Sequence, residues 1–133
     1  MSVRTVPCPQ AVRLGRLRKA DQFLQAATIV VAFADDEGEV ADACVTLFVH
    51  AGIAAADVIC CAALGEHPRG ENHGEAVAML ASVDRPTSRH LQTLLAMKTK
   101  AGYTHTPASA DDLKRAGRGA EALVERARMA AGR

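Results

Sequence analysis

Apolar residues recur at three- and four-residue spacing along most of this chain, the period of a helix with one face against a core. Leu17, Ala20, Leu24, Ala27, Val31 and Ala34 form the first such stripe, with Arg16, Lys19 and Gln22 elsewhere on the turn, and predict a helix over about 10–34. The run DDEGE ends it. A second helix, over about 39–65, is apolar almost all round and stops near Gly65 and Pro68. Its stretch ACVTLFVHAGIAAADVICCAAL is long enough to span a bilayer, but His50 and Asp57 stand inside it and alanine is a weak lipid-facing residue. The expectation is a central, mostly buried helix and no membrane. Asn72 and Glu75 resemble a capping pair ahead of Ala76, Val77, Leu80 and Val83. DRPTS then interrupts the pattern, because proline restricts its predecessor and suits the first turn of a new helix. A fourth helix over about 86–102 supplies Leu91, Leu94, Leu95 and Met97 to the core, and Gly102 and Pro107 stop it. Ser109 with Asp112 opens a fifth, with a stripe of Leu113, Ala116, Ala120, Leu123, Ala127 and Ala130. Residues 1–9, with two prolines, read as a loose, flexible N-terminal arm, and 10–131 as one domain. The fold class is all-α, an up-down helical bundle of four long helices plus one short one.

Composition strengthens that reading. The chain has 133 residues and is 49% hydrophobic, but alanine dominates, tryptophan is absent, and there are three Phe and one Tyr. Alanine is the best helix former, whereas strands draw on β-branched and aromatic residues. This length buries a core without covalent staples. Of the four cysteines, Cys8, Cys44, Cys60 and Cys61, three lie in the alanine-rich run, where a reduced, buried thiol is at home. The opening MSVRTVPCPQ has no apolar signal segment, so the expected location is the cytoplasm. Cys60, Cys61, His67 and His73 are ligand types for zinc. Adjacent cysteines diverge by about 100° around a helix, however, and the spacing matches no paired zinc pattern. No metal and no cofactor are expected.

The net charge is only +1, which excludes a chain that is a polyanion magnet as a whole. Its distribution is uneven. Residues 1–19 hold five cations, Arg4, Arg13, Arg16, Arg18 and Lys19, and no acid, whereas 20–84 hold eleven acids and one cation, Arg69. From 85 to 118 there are seven cations against Asp111 and Asp112. A fold that brings the two basic segments together places a positive face on an acidic body and suits an anionic partner. On the second helix Thr46, His50 and Asp57 fall within about 40° of one another and make one polar stripe. Two turns separate His50 from Asp57, so they are no direct catalytic pair. Either neighbouring helices satisfy them, or His50 lines a cleft or dimer seam with Asp57 fixing a partner cation.

Three stretches, in order, resemble the HEPN family (higher eukaryotes and prokaryotes nucleotide-binding domains). FVHAGIAAADVI, Phe48 to Ile59, is similar to the family's central helix. LGEHPRGENHGEAVAML, Leu64 to Leu80, resembles its following glycine, loop and histidine before a short helix, with His73 as that histidine. MKTKAGYTHTPASADDLKRAGRGAEALVERA, Met97 to Ala127, is similar to its closing pattern of a basic residue, an alanine and a tyrosine before an alanine-rich last helix. The resemblance spans about 40–130 and implies a bundle that usually dimerises and acts around RNA or nucleotides.

Many members are metal-independent ribonucleases, often toxins of toxin–antitoxin or phage-defence systems; others have lost the chemistry and serve as binding modules or partners. Active members carry an arginine and, four to six residues on, a histidine near the end of the penultimate helix. Arginine grips the phosphate and histidine moves a proton near neutral pH. Here Lys98 and Lys100 stand at that place, followed by His105. Lysine keeps the charge but lacks the two-bond fork, and His105 lies past Gly102, off the helix. RPTSRH, Arg85 to His90, matches the spacing but sits at the start of its helix, where a solvent-facing turn is expected.

The expectation is therefore a catalytically degenerate, HEPN-like RNA- or nucleotide-associated binding or regulatory module, a homodimer. Lys98, Lys100, Tyr103 and His105 form its contact group, Arg85, Arg89 and His90 a secondary basic patch, and His50, Asp57 and His73 a cleft or seam. The alternatives are a ribonuclease with His105 as general acid/base and Lys98 or Lys100 on the phosphate, and a structural or protein-partner module.

Overall fold

The computed structural model describes residues 4–70 and 72–132. Five helices carry the fold: α1 (Gln10–Phe33), α2 (Ala41–Leu64), α3 (His73–Val83), α4 (Arg85–Tyr103) and α5 (Ala110–Ala131). A 3₁₀ turn, Glu37–Val40, leads into α2, and two short strands, β1 (Thr5–Pro7) and β2 (Glu66–Pro68), pair antiparallel with Val6 opposite His67. The all-α bundle of four long helices and one short one is the observed architecture.

Helix ends follow local chemistry. The Asn72 side chain accepts from Glu75 N at 3.0 Å and opens α3. Asp84 accepts from Thr87 N at 3.1 Å and opens α4, with Pro86 in its first turn. At α5 the Ser109 hydroxyl accepts from Asp112 N and the Asp112 carboxylate from Ser109 N, a full capping box. Gly65 closes α2 at φ 74°, a left-handed conformation that costs glycine nothing, with its N–H on Cys61 O.

Helix α2 runs through the middle, against α1 on one side and α4 and α5 on the other. With the 3₁₀ turn before it, it is long and apolar enough to cross a membrane, yet 61% of its most apolar window is buried inside the protein. That is the burial of a core helix. Small residues let the neighbours approach closely. A Cβ added at Gly52 would collide with Leu94 Cδ1 and press on Leu123 Cδ1, so α2 meets α4 and α5 almost backbone to side chain at this point. Val45, Val49, Ile59, Leu80, Leu91, Leu94 and Leu123 fill the core around it.

Two expectations need correction. From Arg4 onward the N-terminal segment is not a loose arm: β1 hydrogen-bonds β2, Cys8 N donates to Gly65 O at 3.0 Å, and Arg69 N to Arg4 O at 3.1 Å. Residues 1–3 lie outside the described ones. Nor are all the cysteines thiols. Cys8 and Cys61 form a disulfide across 53 residues, with Cα atoms 5.5 Å apart, while Cys44 and Cys60 are buried thiols. The strand register brings Cys8 beside the last turn of α2, a juxtaposition that no local spacing reveals.

Candidate anion-binding site

Asp57 sits in the third turn from the end of α2, on a helix that is otherwise apolar, and burial drives it to find a cation. It finds Arg16 of α1, whose Nε donates to Asp57 Oδ2 at 3.0 Å. His67 of β2 approaches from the other side, Nδ1 to Asp57 Oδ1 at 3.8 Å. Burial pushes the Asp57 carboxyl up, and Arg16 and His67 oppose that rise. His67 Nδ1 also lies 2.7 Å from Pro68 O, to which it donates, so Nε2 is the nitrogen left for another partner.

This ion pair borders a cavity of about 330 Å³ between α1, α2, β2, α3 and α4. The size is at the small end of ligand sites, about 300–1,000 Å³. Ile53, Ala56, Leu91 and Leu95 give it an apolar wall; Arg16, Arg69, Lys98, His67 and His73 give it a polar one. Lining residues thus include three permanent cations and one carboxylate, which is already engaged by Arg16. Among the described residues no carboxylate pairs with Lys98. Cys60 also faces this space, but burial, and then Asp57, push its thiol up to about 12, so it stays protonated and inert. The wall is braced from behind by the β1–β2 pair and the Cys8–Cys61 bond.

His50, two turns back on the same face of α2, is exposed at the surface with its ring 5.6 Å from that of Phe23. Partial burial lowers its pKa, and Lys98 and Arg16 lower it further. Of the polar stripe Thr46, His50 and Asp57, only Asp57 borders the cationic cavity, where it fixes Arg16; His73 lines the same cavity, and His50 and Thr46 do not.

The expected contact group does not assemble. Lys98 and Lys100 lie two positions apart, about 200° around α4, and face different neighbours. Lys98 lines the cavity; Lys100 donates to Asp112 Oδ2 at 2.8 Å. Asp112 is held well below the ordinary carboxylate range, first by Lys100 and then by Ser109 N. Tyr103, the last residue of α4, is 78% exposed. His105 is exposed in the turn after the helix, where the Thr104 hydroxyl donates to Lys100 O. Neither Tyr103 nor His105 borders the cavity. Arg85, Arg89 and His90 are exposed on the first turns of α4 and do not border it either. No protein-family model matches the chain, and no curated protein does.

Arg16, His67 and Arg69 are the residues that sequence reasoning did not place in the site. One signal pointed to the first: a buried acid on an apolar helix demands a cation, and Arg16 belongs to the basic segment that precedes α2. The cavity is where members of the two basic segments, Arg16 and Lys98, meet.

Proposed function

We propose that this protein is a non-catalytic, HEPN-like binding module that holds a phosphate group of a nucleotide or of RNA in the cavity beside Lys98. One observation carries the reading: Lys98, with no carboxylate partner among the described residues, shares a partly enclosed space with Arg16, His67 and His73. A phosphate there gains charge-assisted hydrogen bonds, and the apolar wall of Ile53, Leu91 and Leu95 accepts a sugar or base. The ribonuclease alternative assigns the general acid–base role to His105 and the phosphate to Lys98 or Lys100. His105 stands off the helix and outside the cavity, and Lys100 is occupied by Asp112, which speaks against that pair.

Binding of a labelled mononucleotide and a labelled short RNA at rising salt tests the reading. Wild-type protein should bind with an affinity that falls as salt rises. Lys98→Ala should lose at least about tenfold, the worth of one charged contact, and Lys100→Ala under twofold. Salt-independent binding, or equal losses in both variants, would overturn the placement. Incubation with RNA in chelator is the second arm: cleavage that vanishes in His105→Ala would make the protein a ribonuclease instead.

A further inference from the structure

An open groove of about 440 Å³ runs between α3 and α4. His73, Val77 and Ala78 border it from α3, and Gln92, Leu95 and Ala96 from α4; no acid, lysine or arginine lines it. His73 and Leu95 also border the cavity beside Lys98, so the two spaces adjoin. An uncharged groove is a poor place for a phosphate and a good one for the apolar faces of a neutral heterocycle. Gln92 supplies the polar part. Its side chain is exposed and has no hydrogen-bond partner among the described residues, and its amide offers the edge of a base both a donor and an acceptor.

The groove leads to two further cations. At about 100° per residue, Arg85, Arg89, Gln92 and Ala96 fall within about 60° of one another and share one face of α4. Arg85 and Arg89 are exposed, and neither side chain pairs with a carboxylate among the described residues. Arg85 opens α4, where the helix dipole is positive and a cation weakens the helix. Neither arginine therefore earns its place through an ion pair. His90 belongs elsewhere: it lies against Gly119 of α5, where an added Cβ would come within 3.8 Å of its own Cβ.

We propose that this face of α4 is a lane for single-stranded RNA, with one phosphate beside Lys98, one base in the α3–α4 groove against Gln92, and further phosphates on Arg89 and Arg85. The proposal rests on the reading of the Lys98 cavity as a phosphate site and chooses RNA over a mononucleotide. A mononucleotide has nothing to set against Arg89 and Arg85, about 14 and 20 Å along the helix from Lys98. A duplex keeps its bases paired and cannot lay one in the groove.

Binding of a labelled single-stranded RNA and a labelled mononucleotide, each followed from low to high salt, tests the lane. Each phosphate contact to a single strand contributes about −0.7 to the slope of log affinity against log salt, so three cations predict about −2. Arg89→Gln and Arg85→Gln, at exposed positions, should each make the RNA slope shallower by about 0.7 and weaken RNA binding several-fold, with mononucleotide affinity as in wild type. Gln92→Ala should narrow the spread of affinities among the four homopolymers. If both arginine variants bind RNA with wild-type affinity and slope while Lys98→Ala loses RNA and mononucleotide alike, the lane fails and the phosphate site stands. If Lys98→Ala changes neither ligand, the phosphate site fails, and a lane that begins there fails with it. Duplex RNA bound as tightly as the single strand overturns the lane alone.

Discussion

Two lysines two positions apart on α4, Lys98 and Lys100, meet opposite fates. Lys100 turns toward the α4–α5 corner and is neutralised: Asp112 takes its ammonium at 2.8 Å, holds Ser109 N at 2.9 Å, and draws in Arg115 at 3.3 Å. Lys98 turns toward α2 and faces a space already supplied with Arg16 and two histidines. The corner uses its charges to end one helix and begin another. The cavity leaves Lys98 with no carboxylate partner among the described residues. Formal charge along the chain is the same kind of evidence at both places; only the second is left with something to offer a ligand.

The sharpest contrast between the two regions is covalent. The cavity wall is tied by Cys8–Cys61, whose ends are 53 residues apart, and the corner is held by hydrogen bonds, ion pairs and packing. Cross-linking a loop of that length restricts the unfolded chain, with a stabilisation of about 2–4 kcal/mol. Cys8→Ser should therefore lower the urea midpoint by a corresponding amount, and reductant should shift wild-type protein to the same place. Phosphate-ligand binding beside Lys98 should weaken in step, because β2 carries His67 and precedes Arg69. Identical midpoints with and without reductant would show that the wall does not depend on the bond.

The corner should respond differently. Asp112→Ala removes the reciprocal half of the capping box and the acceptor for Lys100, and should cost about 1–3 kcal/mol with ligand binding unchanged. Lys100→Ala should cost less than about 1 kcal/mol, because that side chain is 42% exposed and its pair is screened. The pH dependence has a definite sign. Asp112 is depressed in the folded protein, so its contribution is fully present above the unfolded aspartate value of about 3.9 and is lost as pH falls below it. A wild-type acid limb of unfolding that Asp112→Ala leaves in place would refute this.

How much of this was legible beforehand divides along the same line. The caps at Asn72 and Ser109 are local: donor and acceptor lie three residues apart, so their chemistry is written in adjacent letters. The core stripes of α1, α4 and α5 follow from helical period for the same reason. The cavity rests on contacts between residues far apart in sequence. Arg16 and Asp57 are 41 residues apart, and nothing near either names the other. His105 misled for a related reason. Its interval from Lys98 and Lys100 is a statement about sequence, and direction is fixed by sequence only while the helix lasts; α4 ends at Tyr103. Strand pairing, and with it the Cys8–Cys61 bond, was hidden because a three-residue strand carries too little pattern to detect.

Charge balance inside the cavity gives the next test. Asp57→Asn keeps the shape and removes the carboxylate that offsets Arg16. Stability should fall by about 1–2 kcal/mol, since a charged acceptor becomes a neutral one. Affinity for a phosphate ligand should rise severalfold, because the repelling charge has gone. In the reading of the cavity as a mere packing defect, the first effect appears without the second.

The smallest effect reads the field of the site directly. His50 feels Lys98 and Arg16, and both hold its pKa down after burial has begun the shift. Lys98→Ala should therefore move the His50 imidazole back up toward 6.5 in a nuclear magnetic resonance titration. A phosphate bound beside Lys98 should move it the same way, since the anion offsets the same two cations. Lys100→Ala should leave it where it is, because Lys100 is not among the groups that act on His50. A lowered His50 also sets a sign for stability: the folded form holds its proton less tightly than the unfolded one, so stability is lost as pH falls below about 6.5. That loss should shrink in Lys98→Ala and in the presence of ligand, two independent ways of discharging the same pocket. If ligand binds tightly and His50 does not move, the phosphate sits somewhere other than beside Lys98, and the contrast between the two lysines carries no functional meaning.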